Sequence, residues 1–74
     1  MQELDQVVAV EDLDGIPVRT GDIGTVVGVC QSNKVYEVEF VTLTGKIIGV
    51  ATLAADKIRA IREGEIAHAR LLTT

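Results

Sequence analysis

The stretch that decides the fold is RTGDIGTVV, residues 19–27, in which two glycines bracket a turn and β-branched residues follow. Glycine adopts positive φ angles without steric cost, so Gly21 and Gly24 allow the chain to reverse sharply. Asp22 can accept hydrogen bonds from backbone amides two residues on and so hold the turn. Val26 and Val27 favour extended backbone. The stretch therefore predicts a tight turn that leads into a β-strand over residues 25–30.

The segments around this turn predict four more strands. The clearest is residues 35–41, where Tyr36, Val38 and Phe40 share one face and Glu37 and Glu39 share the other. This period of two is typical of a half-buried strand. Shorter apolar segments predict strands at residues 4–10, 46–51 and 57–61, with a helical or 3₁₀ turn at 53–56.

Five short strands with one long early loop (residues 11–20) are typical of a small closed β fold. The 3₁₀-like turn before a short last strand favours the SH3-like barrel in particular. We therefore predict an all-β, five-stranded SH3-like barrel over residues 1–61.

The C-terminal tail, residues 62–74, differs in kind from the strands. Glu63-Gly64-Glu65 interrupts the strand pattern, and Ile66, Ala69 and Leu72 then recur at helical spacing. This spacing predicts a short helix. Because helices of even ~12–15 residues are marginal alone in water, we expect the tail to dock on the barrel or on a partner, or to fray.

The composition restricts how such a chain can be stabilised. A domain of this size buries only about 60% of its unfolded surface. Cys30 is the only cysteine and His68 the only histidine, which excludes an internal disulfide and a structural zinc site of the usual type. Oligomerisation or a well-packed barrel must therefore supply the stability.

The expected location is the cytoplasm. A single cysteine suits a reducing compartment, and the acidic stretch Met1–Asp5 does not resemble an export signal. No apolar run approaches the ~20 residues of a membrane span, so we expect no membrane association.

No residue pattern predicts catalysis, a cofactor or a metal. The chain lacks a nucleophile–base pair and a metal-binding set, and Gly21-x-x-Gly24 opens a strand rather than the helix of a phosphate-binding loop. Cys30 is best interpreted as a small, at least half-buried apolar residue. Eleven acidic against seven basic residues give a net charge of −4, which argues against nucleic acid as a partner.

Four segments together carry a resemblance to a known family. They are Leu4-Asp5 before a Val-Val strand, RTGDIGTVV at 19–27, YEVEFV at 36–41, and TLAADKIR at 52–59. Their order and spacing resemble the bacterial family catalogued as domain of unknown function 4926, over about residues 3–61. The resemblance implies a small, largely stand-alone bacterial protein with an SH3-like fold and no assigned activity.

Two sets of residues are candidates for an interaction surface. The acidic residues Glu11, Asp12 and Asp14 of the early loop either dock a basic partner or form a solvated loop that discourages aggregation. The tail residues Ile66, Leu71 and Leu72 are the second set. Apolar residues point to both faces of the strands at 26–30 and 47–51, so one face must be covered by the tail, a loop or another chain.

These observations favour a non-catalytic protein-interaction module that self-associates as a dimer or tetramer and binds an unknown protein partner. The alternative is a nucleic-acid or ribosome-associated barrel. It rests on Gly21-x-x-Gly24-x-Val26, which resembles the KOW element of ribosomal and transcription-elongation proteins.

Overall fold

A computed structural model describes residues 1–72 of the 74-residue chain. Its elements are β1 (Gln6–Ala9), β2 (Ile23–Cys30), β3 (Val35–Val41), β4 (Ile47–Ala54), a 3₁₀ turn (Ala55–Lys57) and β5 (Ile58–Ala60). All neighbouring strands pair antiparallel in a single sheet of order β4-β3-β2-β1-β5. The predicted all-β fold with five strands is confirmed, and the predicted bounds of β3 are correct to the residue.

The first strand of the chain lies between the second strand and the last one in the sheet. β2, β3 and β4 form a meander, and the 3₁₀ turn then carries the chain to β5, which pairs with β1 through Val7 and Ala60. Within residues 1–72, β4 and β5 are the two ends of the sheet. The hydrogen-bonded ladder therefore stays open instead of closing into a complete barrel.

The core is built around the inward face of β3. Tyr36, Val38 and Phe40 are at most 2% exposed, as their alternation predicts. Gly24 of β2 lies against this face, and a Cβ added there would lie 2.5 Å from Val38 Cγ1 and 2.8 Å from Phe40 Cε1. Gly24 is thus required for close packing, whereas Gly21, with φ +94°, serves the turn. The other buried apolar residues are Val7, Val8, Ala9, Val18, Val26, Leu53 and Ile58.

Asp22 holds the turn before β2, although through a different amide than the sequence predicts. Its carboxylate accepts a hydrogen bond from the amide of Arg19, three residues earlier, at 2.9 Å. The backbone of the turn also pairs with β1, since the Ala9 amide donates to the Asp22 carbonyl and the Gly21 amide donates to the Ala9 carbonyl. The turn is therefore tied to the first strand.

Two β-bulges explain why apolar residues point to both faces of β2 and β4. In the pairing of β2 with β3, the register shifts between Val26 and Gly28, which leaves Val27 unpaired. In the pairing of β3 with β4, it shifts between Phe40 and Val41, which leaves Ile48 of β4 unpaired. A bulge inserts one residue and interrupts the alternation of faces. Each unpaired residue is therefore the second member of an apolar pair, Val26-Val27 or Ile47-Ile48.

The predicted tail helix is wrong for the residues that the structure describes. A turn at residues 62–65, with Gly64 at φ +84°, is followed by chain without helix or strand as far as Leu72. Residues 73 and 74 of the predicted helical tail lie outside the described residues. A helix of this length has little stability of its own, and polar contacts at two points along the tail hold it in another conformation.

Candidate interaction surface

The first contact that fixes the tail is a bidentate ion pair between Arg59 of β5 and Glu65. The guanidinium donates to the two carboxylate oxygens at 2.8 and 2.7 Å. Glu65 Oε1 also accepts a hydrogen bond from the Arg62 amide at 2.6 Å. These contacts, the Arg59 hydrogen bonds above all, lower the pKa of Glu65 to about 2. The turn at the start of the tail is therefore anchored to β5.

The second contact joins Arg70 to the turn before β2. Arg70 Nε donates to Asp22 Oδ1 at 2.8 Å, and Nη2 donates to Asp22 Oδ2 and to the carbonyl of Pro17. The hydrogen bond from Arg70 is the main cause that lowers the pKa of Asp22, and the same bond raises the pKa of Arg70. Asp22 thus organises its own turn and anchors the far end of the tail.

Between its two anchors the tail passes over an apolar cleft of about 750 Å³. The walls on the sheet side include buried Val8 and Phe40 and half-buried Ile23 and Ile48. The cleft is further lined by apolar side chains that are mostly in solvent: Leu43 (91% exposed), Ile66 (92%) and Leu71 (85%), with Val41 and Ile61 less exposed. The tail therefore crosses the cleft without filling it.

The cleft carries no net charge. With His68 counted as neutral, its charged residues are Asp22, Arg59, Glu65 and Arg70, and each base is paired with one of the acids. This contrasts with the net charge of −4 on the whole chain. Apolar contact is therefore the main interaction that the cleft offers.

One family model matches this chain, the domain of unknown function DUF4926, over residues 3–60. The chain belongs to the DUF4926 family. Neither a curated protein nor a solved structure matches it. The family resemblance seen in the sequence is confirmed, and its match ends before the tail. In this DUF4926 protein, Asp22 and the sheet side of the cleft lie inside the matched region, whereas Arg70 lies outside it.

The structure brings one of the two predicted sets of interaction residues together. Ile66, Leu71 and Leu72 all line the cleft of this DUF4926 protein, and Leu72 is half-buried there. They do so as part of an irregular segment and not as one face of a helix.

The acidic set lies elsewhere, and two of its three members have internal partners. Glu11 forms an ion pair with Lys57 of the 3₁₀ turn. Asp12 accepts hydrogen bonds from the Thr20 amide at 2.9 Å and the Thr20 hydroxyl at 3.2 Å, and the amide bond is the main cause that lowers its pKa. Asp14 lines a smaller cavity of about 310 Å³ between the early loop and β4.

Sequence reasoning missed Leu43 and the four anchoring residues of the cleft. The sequence could have predicted Leu43 as an exposed apolar residue, because it is large and apolar inside a predicted turn, Thr42-Leu43-Thr44-Gly45. The Arg70–Asp22 pair has no such signal, since 48 residues separate its members.

Three further findings concern possible metal ligands, Cys30 and membrane-spanning helices within the described residues. Within residues 1–72 no group of three or more His, Cys, Asp or Glu side chains could hold a metal ion. Cys30 is exposed, which corrects the expectation that it is at least half-buried. Over the same residues, no helix has the length and apolarity needed to cross a membrane.

Proposed function

We propose that this DUF4926 protein is a non-catalytic protein-binding module that self-associates through the cleft under its tail. The observation that carries the proposal is the concentration of Leu43, Ile66 and Leu71, each at least 85% exposed, around one apolar cleft. Scattered exposed apolar residues are ordinary, but a contiguous apolar patch beside a concave site is typical of an interaction surface.

The size of the core supports self-association as the form of binding. The described residues bury ten apolar side chains, eight of them aliphatic. Small domains without a disulfide or metal commonly gain stability by association, because the bound state buries surface that the monomer exposes. An apolar cleft placed on the surface provides that additional burial.

A protein partner is favoured over nucleic acid. Single-stranded nucleic acid is bound by basic grooves and by aromatic side chains on which bases stack. The two aromatic residues of this chain, Tyr36 and Phe40, are 2% and 1% exposed. Three of the seven basic residues, Lys57, Arg59 and Arg70, pair with carboxylates. Location in the bacterial cytoplasm stays a prediction.

The test is the molar mass of the protein by light scattering, measured over a wide range of protein and salt concentration, with and without nuclease. We expect a dimer or tetramer whose mass does not change with nuclease or moderate salt, because apolar contacts are not screened by ions. A monomer at every concentration would exclude self-association. Nucleic acid that co-purifies and dissociates steeply with salt would favour the KOW-like alternative.

A further inference from the structure

We infer that the cleft receives the turn between β3 and β4 of a second copy, whose Leu43 inserts beneath the tail while the first copy's Leu43 inserts in return. The inference rests on the proposed function and names the occupant of its site. The β3–β4 turn (residues 42–46) is the inserting segment in each copy.

The β3–β4 turn presents Leu43 on a rigid support. The Thr42 amide donates to the Lys46 carbonyl at 2.8 Å, and the Gly45 amide donates to the Thr42 carbonyl at 2.9 Å. The Thr42 hydroxyl accepts from the Lys46 amide at 3.0 Å and contacts the Thr44 hydroxyl at 3.3 Å. Leu43 stays 91% exposed in this arrangement. A segment that is already ordered loses little conformational entropy on binding.

The cleft matches an uncharged aliphatic side chain. Val8, Ile23 and Ile48 give it aliphatic walls, and its volume of about 750 Å³ is ample for a leucine. The two ion pairs beside these walls are satisfied within the chain, so they offer no net charge to an acidic or basic peptide. The tip of the turn, Thr42 to Gly45, carries no charge either.

Charge also permits a second copy at this place. Two chains of net charge −4 repel each other, and the repulsion is least where each presents a neutral patch. The cleft is such a patch, and Leu43 itself stands at its rim. A protruding residue and a receiving cleft on the same face make that face self-complementary, as a two-fold interface requires.

The first test compares two leucine-to-glutamate variants of the full chain by sedimentation equilibrium. Leu43→Glu places a charge at the proposed insertion point. Leu4→Glu is the matched control, because Leu4 is 79% exposed, does not line the cleft and gives the same net charge. We expect Leu43→Glu to weaken self-association about tenfold or more, the loss typical of a central apolar anchor, and Leu4→Glu to leave it within about twofold.

The outcomes separate the inference from the proposed function. If the wild type associates and both variants weaken it equally, the insertion of Leu43 is wrong, while self-association stands. If the wild type is a monomer throughout, both are wrong. Circular dichroism should show both variants folded, because neither leucine belongs to the core.

The second test places cysteines on separate copies in a Cys30→Ser background. Copies with Leu43→Cys are mixed with copies carrying Ala69→Cys, a position that lines the cleft. We expect the mixed disulfide to form faster than in a control mixture of Leu4→Cys and Ala69→Cys copies. Equal rates in the two mixtures would overturn the proposed insertion.

Discussion

Replacing Gly24 with alanine should destabilise the fold far more than the same change at Gly28, the other glycine of β2. The new Cβ would lie 2.5 Å from Val38 Cγ1 and 2.8 Å from Phe40 Cε1. Carbon atoms in contact are normally ~3.5–4.0 Å apart, so both neighbours would have to move by about an ångström. Val38 and Phe40 are 0% and 1% exposed, and the surrounding core leaves them little room to do so.

The magnitude follows from the cost of overpacking. Extra methyl groups in a well-packed core cost about 1–3 kcal/mol. For a domain of this size each kcal/mol lowers Tm by roughly 4–8 °C. A free-energy loss of about 2 kcal/mol therefore corresponds to a fall in Tm of roughly 8–16 °C. This is a large part of the stability of so small a domain, yet not all of it.

The assay is urea unfolding of the Gly24→Ala and Gly28→Ala variants, monitored by circular dichroism. Gly28 lies in the same strand, but a Cβ there would meet only the exposed side chain of Glu37, at 3.1 Å from Oε2, which can rotate away. The free energy of unfolding of the control should equal that of the wild type or exceed it slightly, because alanine lowers the conformational entropy of the unfolded chain. Equal stability of the two variants would refute the packing explanation of Gly24.

Three further predictions concern the tail and the exposed thiol. Changing Glu65 to Gln should speed trypsin cleavage after Arg62 by about twofold to fivefold, because Glu65 anchors this turn through Arg59 and the Arg62 amide. Lys57→Gln, which breaks an ion pair away from the tail, should not. The tail should also detach in acid: ionised Glu65 stabilises its anchor fully above pH 4.5, its ordinary pKa, and this contribution is lost as pH falls towards about 2. NMR shifts of the tail amides that stay constant down to this pH would contradict the anchor. Cys30 should react with a thiol reagent in the folded protein as fast as in urea at the same pH, because it is exposed.

The strands of this fold are predictable wherever their alternation is uninterrupted. β3 alternates along its whole length, and its bounds follow from the pattern alone. β4 extends to Ala54, beyond the predicted residue 51, and contains the apolar pair Ile47-Ile48. The bulge at Ile48 depends on the register with β3, which is a property of two strands and not of either segment alone.

The tail could not be predicted because distant contacts determine its conformation. Its local spacing of apolar residues favours a helix, whereas Arg70 binds Asp22, 48 residues earlier. The candidate site depends on the same contact, since the cleft exists only where the tail crosses the sheet. Apolar residues on both faces of β2 and β4 predicted a cover, but Val27, Ile47 and Val50 stay exposed outside the cleft, and only Ile48 among the apolar pairs lines it.

The most direct test of the central claim is an NMR dilution series that records the backbone amide shifts of the whole chain. We predict concentration-dependent changes confined to the β3–β4 turn, to residues 65–72 of the tail and to the cleft residues of the sheet, including Val8, Ile23 and Ile48. Changes confined to the early loop at residues 11–20, or no changes together with a monomer mass at every concentration, would contradict self-association through the cleft.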